Sequence, residues 1–169
     1  MPGLLELHSS SQYRDAMARM PSAISIVTTN GPGGKWGTTV SAICSVSDSP
    51  PMILICLNRE NRANAIIKKN MVLAVNVLSD NQFQFSSKFA SKSPDALELE
   101  FTATHWKSYR DVLPVLGGAA VNLVGKVDRS IEVASHTVFF VLVELIATYN
   151  ESMPIVYFDR NFHSVKQIR

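Results

Sequence analysis

The sequence is poor in cysteine, and its basic residues are scattered. Its two cysteines, Cys44 and Cys56, both lie in apolar stretches. We therefore expect buried, reduced thiols and no disulfide framework, which suits a cytoplasmic protein. The formal net charge is +2, and the densest basic pair is Lys68-Lys69. Because nucleic-acid surfaces carry clustered Lys and Arg, we expect no nucleic-acid partner.

Long apolar runs are also absent. The longest run, "TVFFVLVELIA", contains Glu144 and is shorter than the roughly 20 residues that a membrane-spanning helix needs. The N-terminus has neither a basic region nor a long apolar core. We therefore expect neither a signal peptide nor a membrane partner.

Three motifs that often identify a cofactor site are missing from the sequence. We find no G-x-G-x-x-G that opens a helix, no P-loop and no Cys/His spacing of the zinc type. These absences argue against a Rossmann nucleotide site and against a metal site. Any cofactor must be held in another way.

The composition is that of one packed domain. The chain has 169 residues, of which 46% are hydrophobic and 18% are charged. We expect a single domain over residues 1–169, with a flexible N-terminus over residues 1–10. Apolar residues between Ser11 and Met20 follow helical spacing and predict a short amphipathic helix.

Most of the remaining chain consists of short runs typical of β-strands. A Gly-rich connection, "NGPGGK", joins "AISIVTT" to "WGTTVSAICSV" and predicts a hairpin. We expect "MILICLN" to be a strand buried on both faces. A short helix is expected between Asn61 as its N-cap and Asn70 as its C-cap, and a capped helix from Ser79 through Phe89. The segment "ASKSPDALELE" is expected to be an exposed loop. Six or seven strands with only short helices predict a mainly β fold, either an antiparallel barrel or a sandwich.

The stretch "GTTVSAICSVSDSPP", from Gly37 to Pro51, has an unusual mixture of hydroxyl, small and apolar side chains. As one continuous strand it would place Thr39, Ser41 and Ser45 on one face, opposite Thr38 and Val40. One interpretation is a strand face that meets water, because Thr is a good strand former. The other is the wall of a site for a flat heteroaromatic ligand, which needs clearance and in-plane hydrogen bonds.

Five collinear segments resemble the short-chain flavin reductase family of small FMN-binding split-barrel proteins. They are "GTTVSAICSVSDSPPMILICLN", "MVLAVNVLS", "PVLGGAAVNLVGKV", "EVASHTVFFVLV" and "IVYFDRNFH". The resemblance implies a split β-barrel, Greek-key-like and antiparallel. It also implies an NAD(P)H-dependent flavin reductase that uses FMN or FAD with NADH or NADPH. Such proteins are homodimers that supply reduced flavin to a separate oxygenase component, here with aromatic-compound catabolism as the expected setting.

The resemblance also implies a set of cofactor-binding residues. In the family the segment from Thr39 to Ser45 lines the flavin ring, the segment after Asn58 leads into a phosphate-binding helix N-terminus, and His136 lies near the nicotinamide nucleotide. Arg62 either binds the flavin phosphate or points to solvent. The implied set is Thr39, Val40, Ser41, Ala42, Cys44, Ser45, Val46, Asn58, Arg62, Asn64, Lys92, His136 and Arg160.

Hydride transfer between two cofactors needs no protein nucleophile or general acid, so the resemblance implies no catalytic side chain. Two alternatives stay open. One is a protein like pyridoxamine-phosphate oxidase on the same barrel, which would need a stronger basic phosphate cluster. The other is a flavin-binding or electron-carrying module without turnover. The sequence does not choose between FMN and FAD, or between NADH and NADPH.

Overall fold

The computed structural model describes residues 9–90, 93–110, 112–149 and 151–165. The helices are α1 (Ser10–Ala18), α2 (Arg62–Asn70), α3 (Gln84–Ala90) and α4 (Pro94–Phe101), with a 3-10 turn at Asp80–Gln82. The strands are β1 (Ser22–Ala23), β2 (Ser25–Thr29), β3 (Trp36–Val40), β4 (Ile43–Asp48), β5 (Pro51–Asn58), β6 (Val72–Val77), β7 (Trp106–Tyr109), β8 (Leu113–Leu116), β9 (Val121–Val133), β10 (His136–Thr148), β11 (Ile155–Phe158) and β12 (Asn161–Ser164).

Seven of these strands form one antiparallel sheet in the order β3-β2-β6-β9-β10-β5-β4. Its two edge strands, β3 and β4, are neighbours in sequence, and only Ser41 and Ala42 separate them. Val40, the last residue of β3, and Ile43, the first of β4, are three Cα–Cα steps apart, and three such steps span at most about 11 Å. The sheet must therefore curl until its edges approach each other, which confirms the predicted mainly β, antiparallel barrel.

The barrel interior is filled by apolar side chains from the central strands. Ile26 of β2, Leu73 of β6 and Phe139 of β10 are almost wholly buried, together with Ile55 of β5. All five residues of β2 are buried, because helices cover the outer face of this part of the sheet. Apolar burial of this kind is the main source of stability for a domain of this size.

Helices α3 and α4 close one side of the barrel through an aromatic cluster. The Phe89 ring lies 5.4 Å from the Phe101 ring and 5.3 Å from the Trp106 ring. The same Phe89 ring presses on Gly37, where an added Cβ would come within 2.5 Å of Cε1. The glycine is needed for this close approach, which holds α3 against β3.

Several predicted elements are confirmed. The hairpin joining β2 to β3 forms as predicted, and α2 begins at Arg62 with Asn61 as its N-cap. Helix α1 begins at Ser10 and ends at Ala18, and Ser9 and Gln12 form a capping box. Residues 1–8 of the predicted flexible N-terminus lie outside the described residues.

Other predictions about local structure are wrong. The run after Trp36 is two strands, because the chain crosses from one sheet edge to the other at Ser41-Ala42. "MILICLN" alternates between buried and half-buried residues, since only one face of β5 points into the barrel. The predicted loop at "ASKSPDALELE" contains α4, which buries Leu97. Strands β7 and β8 form a hairpin that the sequence patterns did not indicate.

No helix among the described residues is long and apolar enough to cross a bilayer.

Candidate functional site

A groove of about 420 Å³ opens where the start of β3, the end of β5, the N-terminus of α2 and the end of α3 meet. Its lining combines one aromatic ring, one cation, one carboxylate and several amide and hydroxyl groups. The lining residues are Trp36, Thr38, Asn58, Glu60, Asn61, Arg62 and Ala90. Several polar groups that converge beside an aromatic ring can fix the orientation of a small-molecule ligand.

The guanidinium group of Arg62 stacks on the indole of Trp36, with 4.6 Å between the guanidinium carbon and the ring centroid. Trp36 is only 5% exposed, whereas Arg62 is exposed. Arg62 is also the first residue of α2, where the helix dipole places a partial positive charge. The stacked arginine and the helix N-terminus together favour an anion at this end of the groove.

Asn61 links α2 to β3. Its Oδ1 accepts a hydrogen bond from the Ala63 N–H at 2.9 Å, and its Nδ2 donates to Thr38 Oγ1 at 3.0 Å. Because Thr38 Oγ1 acts as an acceptor in this contact, its own hydrogen can be donated to a ligand in the groove.

A tight turn after β5 places Asn58 and Glu60 at the groove. The Glu60 N–H donates to Asn58 Oδ1 at 2.8 Å, and the Asn61 N–H donates to the Asn58 carbonyl at 3.0 Å. Glu60 contributes the negative charge of the lining, so the groove is cationic only near Arg62. A ligand with one anionic end and a polar, uncharged body matches this distribution.

A neighbouring groove of about 440 Å³ shares Asn58 and Glu60 with the first one and is completed by Arg59 and Ser135. His136 lies directly opposite Asn58 in the ladder between β5 and β10. Its Nδ1 is 2.9 Å from Ser135 Oγ, and the side chain is exposed. The structure therefore brings Asn58, Arg62 and His136, three residues of the predicted set, to one edge of the barrel.

The segment that the resemblance places along the flavin ring, from Thr39 to Val46, is called the predicted flavin wall. It continues from the groove along β4. The Cys56 N–H donates to the Ala42 carbonyl at 3.0 Å, and Asn58 follows two residues later in β5. This contact places the Ser41-Ala42 link beside the groove. The rest of the wall is an exposed edge strand formed by Cys44, Ser45 and Val46.

Thr38 and Thr39 lie on opposite faces of β3 as predicted, but the face at the groove is that of Thr38 and not that of Thr39. Thr38 lies in the groove, whereas the Thr39 hydroxyl donates to the Ser86 carbonyl of α3 at 2.6 Å. Val40 is buried. The period-2 count holds within β3, but it cannot place Thr39 on one face with Ser41 and Ser45, because β3 ends at Val40 and β4 begins at Ile43 on the other sheet edge. Flavin contacts of Thr39 and Val40 stay predictions from the resemblance.

Three other residues of the predicted set are not found at the groove. Asn64 and Arg160 lie apart from it, and Lys92 is outside the described residues. Asn64 is 2% exposed, and its side chain bonds to the Leu57 carbonyl and to Thr137 Oγ1 at 3.2 and 3.3 Å. Arg160 lies in the turn between β11 and β12, where it pairs with Asp15 of α1. Lys92 lies outside the described residues.

The two thiols are both free, but they are less buried than the sequence predicted. Cys44 is exposed because β4 is an edge strand, and Cys56 is half-buried on β5. Burial raises the pKa of the Cys56 thiol, and the nearby Cys44 raises this pKa further. The Cys56 thiol is therefore harder to ionise than an ordinary cysteine thiol.

Sequence reasoning missed five lining residues: Trp36, Thr38, Glu60, Asn61 and Ala90. Trp36 and Thr38 share one face of β3 two residues apart, so a correct boundary for that strand would have linked them. Asn61 was predicted only as a helix cap, although the amide that caps α2 also reaches Thr38. Glu60 follows Asn58 in a turn and carried no pattern of its own.

Residues 17–166 match the family model described as the flavin reductase like domain. The FMN reductase (NADH) RutF of Serratia proteamaculans is 39% identical over 153 residues, which cover 90% of this chain and 86% of that protein. The reductase component of 4-hydroxyphenylacetate 3-monooxygenase from Pseudomonas aeruginosa is 37% identical over 154 residues and 91% of each chain.

Solved structures agree with these relatives. The crystal structure of a protein assigned as a flavin reductase from Haemophilus somnus has a TM-score of 0.86 at 38% identity, covering 93% of this chain and 99% of that chain. The NADH:FAD oxidoreductase SgcE6 of Streptomyces globisporus has a TM-score of 0.89 at 23% identity over 99% of both chains, and this likeness shows the shared fold alone. The resemblance inferred from sequence segments is therefore confirmed, and the chain belongs to the flavin reductase like domain family.

Proposed function

We propose that this protein is an NAD(P)H-dependent flavin reductase that supplies reduced FMN or FAD to a separate oxygenase component. The observation that carries this proposal is the Trp36–Arg62 pair at the N-terminus of α2, beside a groove that continues into a hydroxyl-rich strand edge. Family membership and the names of the relatives, FMN reductase (NADH) and monooxygenase reductase component, support the same activity.

The donor groups of the groove suit a flavin nucleotide. The Arg62 guanidinium would hold the phosphate at the positive end of the α2 dipole, since a guanidinium can bind it in a bidentate way. Thr38 and Asn58 would meet the ribityl hydroxyls, and the Ser41-Ala42 link would lie at the edge of the ring. Glu60 is the one acidic group of this lining, so it would face the uncharged part of the ligand.

The nicotinamide nucleotide supplies a hydride and the flavin accepts it, so the protein contributes binding, orientation and exclusion of competing reactions. His136 and Ser135, beside the second groove, are the proposed contacts of the nicotinamide nucleotide. The open strand edge at β4 leaves the flavin accessible, which suits release to a partner. We propose an oxygenase of an aromatic compound as that partner, supported by the relative from Pseudomonas aeruginosa.

We further propose that two copies of the chain form a homodimer. Large apolar side chains are exposed on β9 and β10, including Ile131 at 49%, Val133 at 55% and Ile146 at 58%. Burying such side chains against a second copy would be favourable. Sedimentation of the purified protein should give a dimer mass, and a monomer mass at micromolar concentration would contradict this part. A cytoplasmic location stays a prediction from the sequence.

Anaerobic reduction of flavin tests the proposed function. The purified protein is mixed with FMN or FAD, and NADH or NADPH is then added without oxygen. Loss of the visible flavin absorbance, at a rate proportional to protein concentration, is the expected result. Saturable flavin binding without bleaching by either nucleotide would favour the electron-carrier alternative, and no flavin binding would refute both.

A further inference from the structure

A buried amide, that of Asn64, joins helix α2 to two strands of the barrel. Asn64 lies in the first turn of α2, two residues after Arg62, but it does not line the groove at Arg62 and is only 2% exposed. Its Nδ2 donates to the Leu57 carbonyl at 3.2 Å and to the Asn58 carbonyl at 3.4 Å. Its Oδ1 accepts from Thr137 Oγ1 at 3.3 Å. The amide therefore links α2 to the end of β5 and to the start of β10.

The three elements that meet at Asn64 carry residues of both grooves. Helix α2 begins with Arg62 at the first groove. Strand β5 ends with Asn58, which lines the first groove and the neighbouring one. Strand β10 begins with His136, the proposed nicotinamide contact, directly before Thr137. A shift of α2 against β10 would therefore change the distance between the proposed flavin and nicotinamide positions.

The turn between β5 and α2 depends on the same amide. The Asn58 carbonyl accepts from the Asn61 N–H at 3.0 Å as well as from Asn64 Nδ2. The Arg59 N–H donates to the Ser135 carbonyl at 2.9 Å, which ties the turn to the chain just before β10. The buried Asn64 thus supports a turn that lines both grooves.

Thr137 completes this buried network. It is 0% exposed and lies opposite Leu57 in the ladder between β10 and β5. Its hydroxyl gives Asn64 Oδ1 the hydrogen-bond partner that a buried polar atom needs. Buried networks whose members are satisfied make their surroundings rigid, so the pair holds α2 at a fixed position against β10.

We propose that Asn64 and Thr137 are positioning residues for hydride transfer. They set the distance between a flavin held at Arg62 and a nicotinamide held beside His136. The inference rests on the proposed function, and it gives Asn64 a role through other residues in place of the cofactor contact that the resemblance implied. In the transfer the nicotinamide C4–H bond breaks and a flavin N5–H bond forms, and both electrons pass with the hydride to leave NAD(P)+ and the reduced flavin anion.

The geometry of the transfer explains why positioning matters. The reacting atoms must approach to about 3–3.5 Å, and a misplacement of about 1 Å can lower the rate about a hundredfold. Neither Asn64 nor Thr137 lines either groove. Loss of the pair should therefore slow the transfer much more than it weakens the binding of either ligand alone.

Single-turnover reduction of FMN without oxygen tests the inference in Thr137→Val, which keeps the side-chain shape and removes the hydroxyl. The reductant is whichever of NADH and NADPH bleaches the wild type, with both ligands saturating. We expect the transfer rate to fall about tenfold or more. The Kd for FMN and the nucleotide concentration at half-maximal rate should stay within about twofold of wild type. Thr137→Ser, which retains the hydroxyl, should restore most of the wild-type rate.

Thr28→Val is the matched control. Thr28 is also a strand threonine at 0% exposure, and its hydroxyl donates to the Pro114 carbonyl, outside both groove linings. Each valine variant removes one buried hydrogen bond, so both should lose a similar amount of stability in urea denaturation. Only Thr137→Val should lose transfer rate. A purely structural role for Thr137 would leave the two folded variants equally fast.

Hydrogen exchange of the protein without ligands gives a readout apart from turnover. In Thr137→Val the amides of residues 58–64 should exchange faster than in wild type, because the first turn of α2 has lost its link to β10. Thr28→Val should keep the wild-type exchange in this range. Asn64→Ser breaks the same link from the side of α2 and should show the same rate loss and exchange, so it serves if Thr137→Val does not fold.

The inference is overturned if Thr137→Val transfers hydride as fast as Thr28→Val, or if an equal loss of FMN affinity accompanies the loss of rate. Equal exchange of residues 58–64 in the two variants would also overturn it. Failure of the proposed function is distinct, because the wild type would then not bleach flavin with either nucleotide. A wild type that bleaches flavin beside an equally fast Thr137→Val refutes only the positioning role.

Discussion

Two polar clusters in this protein differ in how completely their hydrogen-bonding groups are used. Inside the barrel, Asn76 donates to the Ile26 carbonyl at 2.8 Å and accepts at 2.8 Å from both the Leu116 N–H and Asn122 Nδ2. At the barrel edge, Thr38, Asn61 and Arg62 bond to each other or stack on Trp36, and they retain donors that face the groove.

The difference separates structural polarity from polarity available to a ligand. A wholly buried amide must have its partners, because each unsatisfied buried group costs about 1–3 kcal/mol. Asn76 is 0% exposed and meets that requirement with two backbone groups and the Asn122 side chain. The edge cluster is partly solvated, so it can exchange water for a ligand at little cost to stability.

The largest expected effect is on stability and comes from Asn76→Leu. The change removes the acceptor of the Leu116 N–H, one donor to the Ile26 carbonyl and one of the two acceptors of the Asn122 amide. We expect the free energy of unfolding to fall by about 3 kcal/mol or more, measured by urea denaturation. FMN affinity of the folded variant should stay within about twofold of wild type, since 1.4 kcal/mol corresponds to tenfold. A large loss of FMN affinity with unchanged stability would contradict the division between a structural cluster at Asn76 and a ligand-binding cluster at the groove.

Ser41→Trp should have the largest effect on ligand binding along the predicted wall. Ser41 is exposed at the link between β3 and β4, so a bulky ring there should cover the flavin path without disturbing the core. We expect FMN to bind about tenfold more weakly or worse, a loss of at least about 1.4 kcal/mol. Ser108→Trp, at an exposed position of β7, is the matched control. Equal FMN affinity in Ser41→Trp and Ser108→Trp would argue against flavin binding along the predicted flavin wall.

Thr38→Val removes the groove hydroxyl and keeps the shape of the side chain. The Asn61 amide loses one acceptor, and a bound flavin loses one donor. A net hydrogen bond of about 0.5–1.5 kcal/mol predicts a two- to tenfold weaker Kd for FMN, with a similarly small change in stability. Fluorescence titration and urea denaturation measure the two quantities. A loss of stability without a loss of FMN affinity would show that the Thr38 hydroxyl has a structural role, as Asn76 has.

The smallest expected effect is a pH dependence at Glu132. The hydrogen bond from Lys68 at 2.6 Å, followed by the one from Arg59 at 3.2 Å, holds the pKa of the Glu132 carboxyl below its ordinary value. Because the pKa is lower in the folded protein, the stabilisation is present above the unfolded pKa and is lost as the pH falls through the folded pKa.

The stability difference between wild type and Glu132→Gln should therefore be small at neutral pH and should disappear in acid. The carboxyl group is exposed, so salt should also reduce the difference. Glu151→Gln is the control without these partners. A difference that grows as the pH falls would contradict the assigned sign.

Much of the barrel could be predicted because the short strand-forming runs, the Gly-rich hairpin between β2 and β3 and the cap at Asn61 are local signals. The division of "WGTTVSAICSV" into β3 and β4 could not be predicted, since it depends on the curl that brings both sheet edges together at Ser41-Ala42. Helix α4 was missed because its burial of Leu97 depends on packing against other elements. At the site, Asn58, Arg62 and His136 followed from the resemblance, whereas Trp36 and Thr38 required the three-dimensional position of β3.

The central claim is that the groove beside the Trp36–Arg62 pair holds the anionic end of a flavin. The most direct test is the Kd for FMN in wild type, Arg62→Ala and Arg110→Ala. Arg110 is also exposed and lies over an aromatic ring, with 5.1 Å to the Tyr109 centroid, but it does not line the groove. Arg62→Ala should weaken FMN binding by about ten- to a hundredfold, or 1.4–2.8 kcal/mol, while Arg110→Ala stays at the wild-type value. Equal affinity for FMN in all three proteins would contradict this assignment.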